Sequence, residues 1–406
     1  MAEPKVRFKR DDGSSYPDLV DKKLGDIGTV LMCKRVFREQ TDSTGDVPFY
    51  KIGTFGGVPD AFISRELYEE LKTKYSFPKK GNVLLSAAGT IGRTVRYDGE
   101  DAFFQDSNIV WLDHDDSVLD DYLYYFYQQA SWKNLEGGTI QRLYNGILLD
   151  KDISIPSLEE QQKIADFLSS VDDVITASEE EVANLETQKK AVMKKIFSQE
   201  VRFKRADGSD FPEWDDDELG SLCEPHARIG WQNLRTDEFL DEGDYYLVTG
   251  TDFVDGRVNF STCHYIDKDR YEMDKNIQIQ NEDILITKDG TLGKVAIVKG
   301  MDKPGTLNAG VFVLQNITNM LDHEYLYQYL AAPFLLKFAR EKSTGGTIQH
   351  LNQGVLVQFS VPIPCLEEQR LIADFLSDFD EAIAAAKKEL ELWKELKKGL
   401  LQQMFV

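Results

Sequence analysis

One long helical stretch occurs twice in this chain, and that duplication limits what it can fold into. Leu158-Glu159-Glu160-Gln161 returns 208 positions later as Leu366-Glu367-Glu368-Gln369, and Ala165-Asp166-Phe167-Leu168-Ser169 as Ala373-Asp374-Phe375-Leu376-Ser377. A 406-residue chain that ends on a copy of its own middle is built from two units. A second repeat has a different offset: Val6-Arg7-Phe8-Lys9-Arg10 matches Val201-Arg202-Phe203-Lys204-Arg205, 195 positions on. The second copy of this connector follows the first long stretch, and the first copy opens the chain. The units therefore read as a cyclic pair, with the C-terminus placed to feed into the N-terminus.

The long stretches carry a heptad pattern. Ile164, Val171, Ser178, Leu185 and Val192 recur every seven residues, as do Leu168, Ile175, Val182, Lys189 and Ile196. In the second copy the rows read Ile372, Phe379, Ala386, Trp393, Leu400 and Leu376, Ile383, Leu390, Lys397, Met404. Spacing of 3.5 residues sustained over about five heptads predicts coiled-coil pairing. The predicted contact residues are Ile164, Leu168, Val171, Ile175, Val182, Leu185, Ile372, Leu376, Phe379, Ile383, Leu390 and Trp393. Ser157-x-x-Glu160 fits a capping box at the first helix start, whereas Cys365 stands at that place in the second. Acidic starts and lysine-rich ends suit the helix dipole and favour antiparallel pairing. At about 1.5 Å per residue each helix would be roughly 58 Å long, enough to hold two globular domains apart.

Outside the helices the pattern is mixed. Short apolar runs such as Val83-Leu84-Leu85 and Ile109-Val110-Trp111-Leu112 alternate with glycine-rich turns and helical stretches near 64–75 and 119–134. Ile284-Leu285-Ile286, Val311-Phe312-Val313-Leu314 and a helical stretch near 323–342 repeat the scheme. The predicted fold class is α+β: two tandem α+β domains separated by two long helices, which form an antiparallel coiled coil with pseudo-two-fold, cyclic symmetry. The expected boundaries are 1–156, 157–200 for the central helix, 201–364, and 365–406 for the C-terminal helix. Internal matches drift from 195 through 201 (Gly89-Thr90-Ile91-Gly92 with Gly290-Thr291-Leu292-Gly293) to 208 (Gly137-Gly138-Thr139-Ile140-Gln141 with Gly345-Gly346-Thr347-Ile348-Gln349). The second domain is thus expected to carry about a dozen extra residues in loops. Between the matched islands the sequences are unrelated, as one scaffold with two different binding surfaces requires.

Catalytic signatures do not assemble. Gly290-Thr291-Leu292-Gly293-Lys294-Val295 lacks P-loop spacing and the Ser/Thr after Lys. His323-Glu324-Tyr325-Leu326-Tyr327 starts like a zinc-protease helix but has Tyr327 in place of the second His. With five histidines, four dispersed cysteines and no compact cluster, no metal site is expected, and the cysteines read as idle thiols in a reducing cytoplasm. No run of about 18 apolar residues suggests a membrane span. The net charge of −23 argues against a chain that by itself wraps DNA or coats an anionic membrane, although a local basic face can survive inside such a sum.

Two variable α+β domains, each followed by a near-identical long helix, resemble the specificity subunit of type I restriction–modification systems. The resemblance rests on Ile155-Pro156-Ser157-Leu158-Glu159-Glu160-Gln161 and Ile363-Pro364-Cys365-Leu366-Glu367-Glu368-Gln369, on the duplicated Gly-Thr-Ile/Leu-Gly and Gly-Gly-Thr-Ile-Gln stretches, and on their arrangement over essentially the whole chain. It implies a non-catalytic, cytoplasmic DNA reader. Each target-recognition domain would read one half of a bipartite, asymmetric site on double-stranded DNA. The helices would set the unspecified spacer and dock two methyltransferase subunits, which methylate adenine with S-adenosylmethionine. Two motor–nuclease subunits would use ATP and Mg, so the chain itself would hold no cofactor.

Base reading needs long polar side chains on loops that reach the major groove. In the first domain the candidates are Lys34, Arg35, Arg38, Gln40, Lys51, Thr54, Arg93, Arg142 and Asn145. In the second they are His226, Arg228, Gln232, Asn233, Arg235, Thr251, Lys288, Lys294 and His350. The shared Gly-Thr-Ile/Leu-Gly loops, Gln141 and Gln349 read as scaffold. Two other function classes compete: a coiled-coil scaffold joining two ligand-binding domains with no DNA role, and a self-contained DNA-modifying enzyme, against which the missing catalytic motifs count.

Overall fold

The computed structural model describes residues 4–132, 142–228, 234–342 and 350–405. The chain folds into two compact units, one of Met1–Glu179 with Glu389–Val406 and the other of Glu180–Lys388. Each unit thus takes a part of both long helices, Leu158–Phe197 and Leu366–Met404.

In the first unit an antiparallel sheet runs in the order Gly28–Leu31, Ile109–His114, Val83–Ser86, Thr94–Arg96. Its two central strands are buried on both faces, which explains their unbroken apolar runs. Val83, Leu85, Val110 and Leu112 enter one core with the helix Asp120–Gln129, Ile164 and Leu168 of the first long helix, and Leu401, Met404 and Phe405 at the end of the second. Leu84, Ile109 and Trp111 enter a second core beneath a small sheet ordered Phe62–Ile63, Val47–Tyr50, Phe103–Phe104.

The second unit repeats this scheme. Ile284–Thr287 and Val311–Gln315 are central, with Ile284, Ile286, Phe312 and Leu314 on the helix side and Leu285, Val311 and Val313 on the other. Here the main sheet has six strands, because Phe253–Val254 and Arg257–Val258 add a hairpin at its edge. Part of the extra length expected in loops is therefore regular structure. Asp255 and Gly256 both have positive φ (47° and 72°), as a tight hairpin turn requires.

Each unit holds the start of one long helix beside the end of the other, so the helices pair antiparallel. Ile164, Leu168, Val171, Val182, Ile372, Leu376, Ile383 and Leu390 are buried, while Ile175, Leu185, Phe379 and Trp393 are half-buried. The lysines that interrupt the seam are paired: Lys189 Nζ lies 2.6 Å from Asp380 Oδ1 in the second unit, and Lys397 Nζ lies 2.6 Å from Asp172 Oδ1 in the first.

The helix starts explain the repeated Glu-Glu-Gln. Ser157 Oγ accepts from the Glu160 N–H at 3.4 Å, but the return bond of a capping box is not made. Instead the fully buried Glu160 carboxylate takes Arg7 Nη2 at 2.6 Å, and Arg7 also donates to the Pro17 carbonyl at 2.7 Å. The second unit matches: Glu368 takes Arg202 Nη2 and Trp214 Nε1, both at 2.9 Å, and Arg202 donates to Pro212 at 2.6 Å. Each unit's own copy of the Val-Arg-Phe-Lys-Arg connector, not the lysine-rich end of the other helix, thus neutralises its helix start. The Val6 N–H also donates to the Gln403 carbonyl at 3.1 Å, and at the matching place Val201 donates to Lys195 at 3.2 Å. The cyclic relation read from the offsets is present as one hydrogen bond made twice.

Asp283, in the turn before Ile284–Thr287, is 3 % exposed, and burial pushes its pKa up to about 6. A carboxyl whose pKa is higher in the folded chain than its ordinary 3.8 gives full stability below pH 4, and that contribution is lost as pH rises through about 6. Asp283→Asn keeps an acceptor for the Gln280 N–H and removes the charge. We expect it to raise stability at pH 7 by about 2 kcal/mol and leave it nearly unchanged at pH 4, as read by denaturant titration at both pH values. Equal effects at the two pH values would refute the assignment.

Candidate nucleic-acid interface

The same frame is built once in each unit. Gly89 and Gly92 have φ of 64° and 86°, and Gly290 and Gly293 have 71° and 73°, so both loops turn where side-chain-bearing residues are strained. A Cβ on Gly92 would lie 2.6 Å from the Trp132 ring. A buried hydroxyl braces each loop: Ser86 Oγ donates to the Thr90 carbonyl and accepts from the Arg93 N–H at 2.8 Å, and Thr287 Oγ1 does the same with Thr291 and, at 2.9 Å, Lys294. The cation that follows reaches a phenylalanine carbonyl in both. Arg93 Nη1 donates to the Phe55 carbonyl at 2.8 Å, and Lys294 Nζ donates to the Phe253 carbonyl.

What stands around the two frames differs. In the first unit Arg142 donates to the Ser107 carbonyl, in a turn where Ser107 has positive φ. In the second, Asp289 joins two candidates, with Lys288 Nζ at 2.8 Å and His350 Nδ1 at 2.6 Å. Burial raises the Asp289 pKa, but the bonds from Lys288 and His350 outweigh it and hold the carboxyl below its ordinary range. Ala87 and Ala88 stand where the second unit has Lys288 and Asp289, so the first unit has no such cluster.

The remaining candidates divide by placement. Arg38 and Lys51 line one groove with Thr41, Ser43 and Gln105. Lys51 pairs with Asp60 at 2.7 Å and Arg35 with Asp106 at 2.9 Å, while Lys34 Nζ sits 4.6 Å from the centre of the Tyr75 ring. Gln40 accepts from the Phe37 N–H and Thr54 from the Lys51 N–H, so both close local turns. Asn145 is exposed at the start of the short helix Asn145–Leu149. In the second unit Arg235 and Thr251 are exposed, Thr251 bonding to Thr249, and His226 lies 3.5 Å from Glu224. Arg228 is a correction: it is 3 % exposed, and its Nε donates to the Leu307 carbonyl at 2.9 Å. Burial lowers its pKa, and a guanidinium held there cannot enter a groove. Gln232, Asn233, Gln141 and Gln349 lie outside the described residues. Sequence reasoning missed Gln105, whose Oε1 accepts from the Ile52 N–H at 2.8 Å, and Asp289. The polar turn Gln105-Asp106-Ser107-Asn108 between two apolar strands was the available signal for the first.

A braced loop is thus built alike in both units, with different polar side chains around it. The family described as type I restriction modification DNA specificity domain matches residues 17–187 and 212–392, and the chain belongs to that family. It is 62% identical over 147 residues to the specificity subunit S.HindORF215P of Haemophilus influenzae, a match that spans 36% of this chain and 38% of that subunit. It is 27% identical over 311 residues to the MjaVIII specificity subunit of Methanocaldococcus jannaschii, covering 73% of this chain and 72% of the relative. The fold is similar to the crystal structure of a type I restriction–modification S subunit from M. genitalium, with a TM-score of 0.58 at 17% identity over 100% of this chain and 99% of that one.

Proposed function

We propose that this chain is the non-catalytic DNA reader of a type I restriction–modification complex, each unit recognising one half of a bipartite, asymmetric sequence. The observation that carries the reading is the pair of equal loop frames bearing unequal side chains: Arg93 and Arg142 on one, and Lys294 with the Lys288–Asp289–His350 cluster on the other. Equal frames present side chains to DNA in the same way, and unequal side chains read different bases. The helix pair sets the spacer and docks two adenine methyltransferase subunits. An aromatic pair occurs once per unit, the half-buried Phe8 with the exposed Phe167 and the half-buried Phe203 with the exposed Phe375, both at 5.6 Å, and Leu158 and Leu366 are exposed at the two helix starts. Two copies of one surface suit two copies of one partner. S-adenosylmethionine, ATP and Mg are held by the methyltransferase and motor–nuclease subunits, two of each, in the cytoplasm. No helix among the described residues is long and apolar enough to cross a membrane.

Methylome sequencing of cells with and without this chain tests the reading. A bipartite methyladenine motif that disappears with the chain is expected, and unchanged methylation would count against it. The charge of −23 adds a second expectation. The partners supply most of the phosphate attraction, so the isolated chain binds its site weakly at any salt. The methyltransferase complex binds tightly and loses about a thousandfold in affinity between 50 and 200 mM salt. Titration of labelled duplex at both salts checks this, and equal affinity of chain and complex would refute it.

A further inference from the structure

One position has the same backbone setting in both units and different hydrogen-bonding chemistry. The buried Leu143 donates its N–H to the Ala87 carbonyl at 2.9 Å, and the buried Leu351 donates to the Lys288 carbonyl at 3.0 Å. That bond pins both segments just past the end of the equivalent central strand, Val83–Ser86 in one unit and Ile284–Thr287 in the other. Each leucine enters the helix-side core of its unit, and the residue before it, the half-buried Arg142 or the exposed His350, stays outside that core. Arg142 can only donate hydrogen bonds. His350 can do either, and its neighbour decides which. Asp289 Oδ1 lies 2.6 Å from His350 Nδ1. Lys288 and His350 hold that carboxyl ionised, and a carboxylate only accepts, so Nδ1 carries the ring proton. The neutral ring then keeps its lone pair on Nε2, on a side chain that is 51 % exposed. Lys288 Nζ occupies the other carboxylate oxygen, Oδ2, at 2.8 Å. Ala88 stands at the place of Asp289 in the first unit, and Arg142 turns to the Ser107 carbonyl instead.

Resting on the function proposed above, we infer that His350 is a specificity-determining residue of the second unit that reads an exocyclic amino group, adenine N6 or cytosine N4, through Nε2, with Asp289 as the positioning residue that sets its polarity. In the major groove adenine and cytosine offer an amino donor, and guanine and thymine offer a carbonyl acceptor. A ring that accepts at Nε2 selects adenine or cytosine on the strand it meets. It rejects guanine and thymine there, because two acceptors would face each other. Arg142, at the equal position, can only donate and selects guanine. Equal frames thus read opposite edges, and one scaffold yields an asymmetric site.

Asp289→Asn tests the polarity with almost no change of shape. Lys288 can only donate, so it keeps the amide oxygen, and the amide nitrogen faces His350 Nδ1. Nδ1 must then accept, the ring proton sits on Nε2, and the ring donates. The chain is expressed with its methyltransferase subunits and without the motor–nuclease, and the methylome is sequenced. One fixed position of one half-site should change from adenine or cytosine to guanine or thymine, with the other half-site unchanged. Purified complexes at pH 8, above the ordinary range of an imidazole, should reverse their preference between duplexes that differ at that base pair, by about tenfold or more each way. A merely structural role for Asp289 would lower methylation without changing the base. Asp289→Ala with His350→Arg rebuilds the arrangement of the first unit and should place guanine at the same position. An Asp289→Asn complex that methylates the parental motif unchanged overturns the inference. If it methylates nothing, the alanine–arginine chain must place guanine there, and its failure to do so overturns the inference equally. A parental complex that methylates no bipartite motif would instead overturn the function on which the inference rests.

Discussion

Adding one heptad to each long helix, after Ala177 and after Ala385, lengthens the unspecified gap by about three base pairs and leaves both half-sites unchanged. Both insertions fall between Asp172 and Lys189 on one helix and between Asp380 and Lys397 on the other. Each ion pair therefore stays within its own unit, with its register intact. Seven residues preserve the 3.5-residue seam and add about 10 Å, close to three base pairs at about 3.4 Å each. Lengthening one helix alone cannot satisfy both ion pairs, and that variant should lose most of its methylation. Three base pairs also rotate one half-site by about a third of a turn relative to the other. DNA twist and bend must absorb the difference, so the doubly lengthened complex should methylate its new site more slowly. Methylome sequencing reads the gap directly. Half-sites with altered bases, or an unaltered gap, would overturn the division of labour between helices and recognition domains.

Gln369→Leu should destabilise the chain by about 3–5 kcal/mol, and Gln161→Leu should act alike. Gln369 is fully buried at the helix start; its Oε1 accepts from the Asp322 N–H, and its Nε2 donates to the Met320 and Pro364 carbonyls, all at 2.8 Å. Gln161 does the same for Leu119 at 2.8 Å and for Ser117 and Pro156 at 2.9 Å. Leucine has similar volume and restores none of these bonds, and each buried backbone group left unsatisfied costs about 1–3 kcal/mol. Arg370→Leu next door is the control: Arg370 is exposed, and the change should stay within about 0.5 kcal/mol. Equilibrium denaturation measures both. A loss below about 1 kcal/mol for Gln369→Leu would show that the loop finds other partners.

These residues show what was legible in the chain and what was not. Glu160, Gln161 and their copies stood out as a repeat, and a capping box was the local explanation. The real partners, Arg7 and the loop at 117–119, are distant in sequence, and no local rule connects them to a helix start. Lys189 and Lys397 were visible as polar residues in an apolar seam. Asp380 and Asp172 were not, because they lie just outside the heptad rows and become partners only once the antiparallel register is set. Arg228 looked like a surface cation because its neighbours are polar. It is buried because its guanidinium meets the Leu307 carbonyl of another strand. The Asp255-Gly256 hairpin could have been read from its turn signature, since those residue types tolerate positive φ.

Duplication, heptad spacing and the alternation of apolar residues along the strands are properties of local order, so the sequence alone determined two α+β units, two long paired helices and their family. Ion pairs, buried amide bonds and the surroundings of the two glycine loops join residues far apart in the chain. Only the tertiary structure decided which lysine meets which aspartate, which arginines stay outside, and how two equal frames come to carry different chemistry. Such contacts depend on distances in space, and a linear order of residues does not contain them.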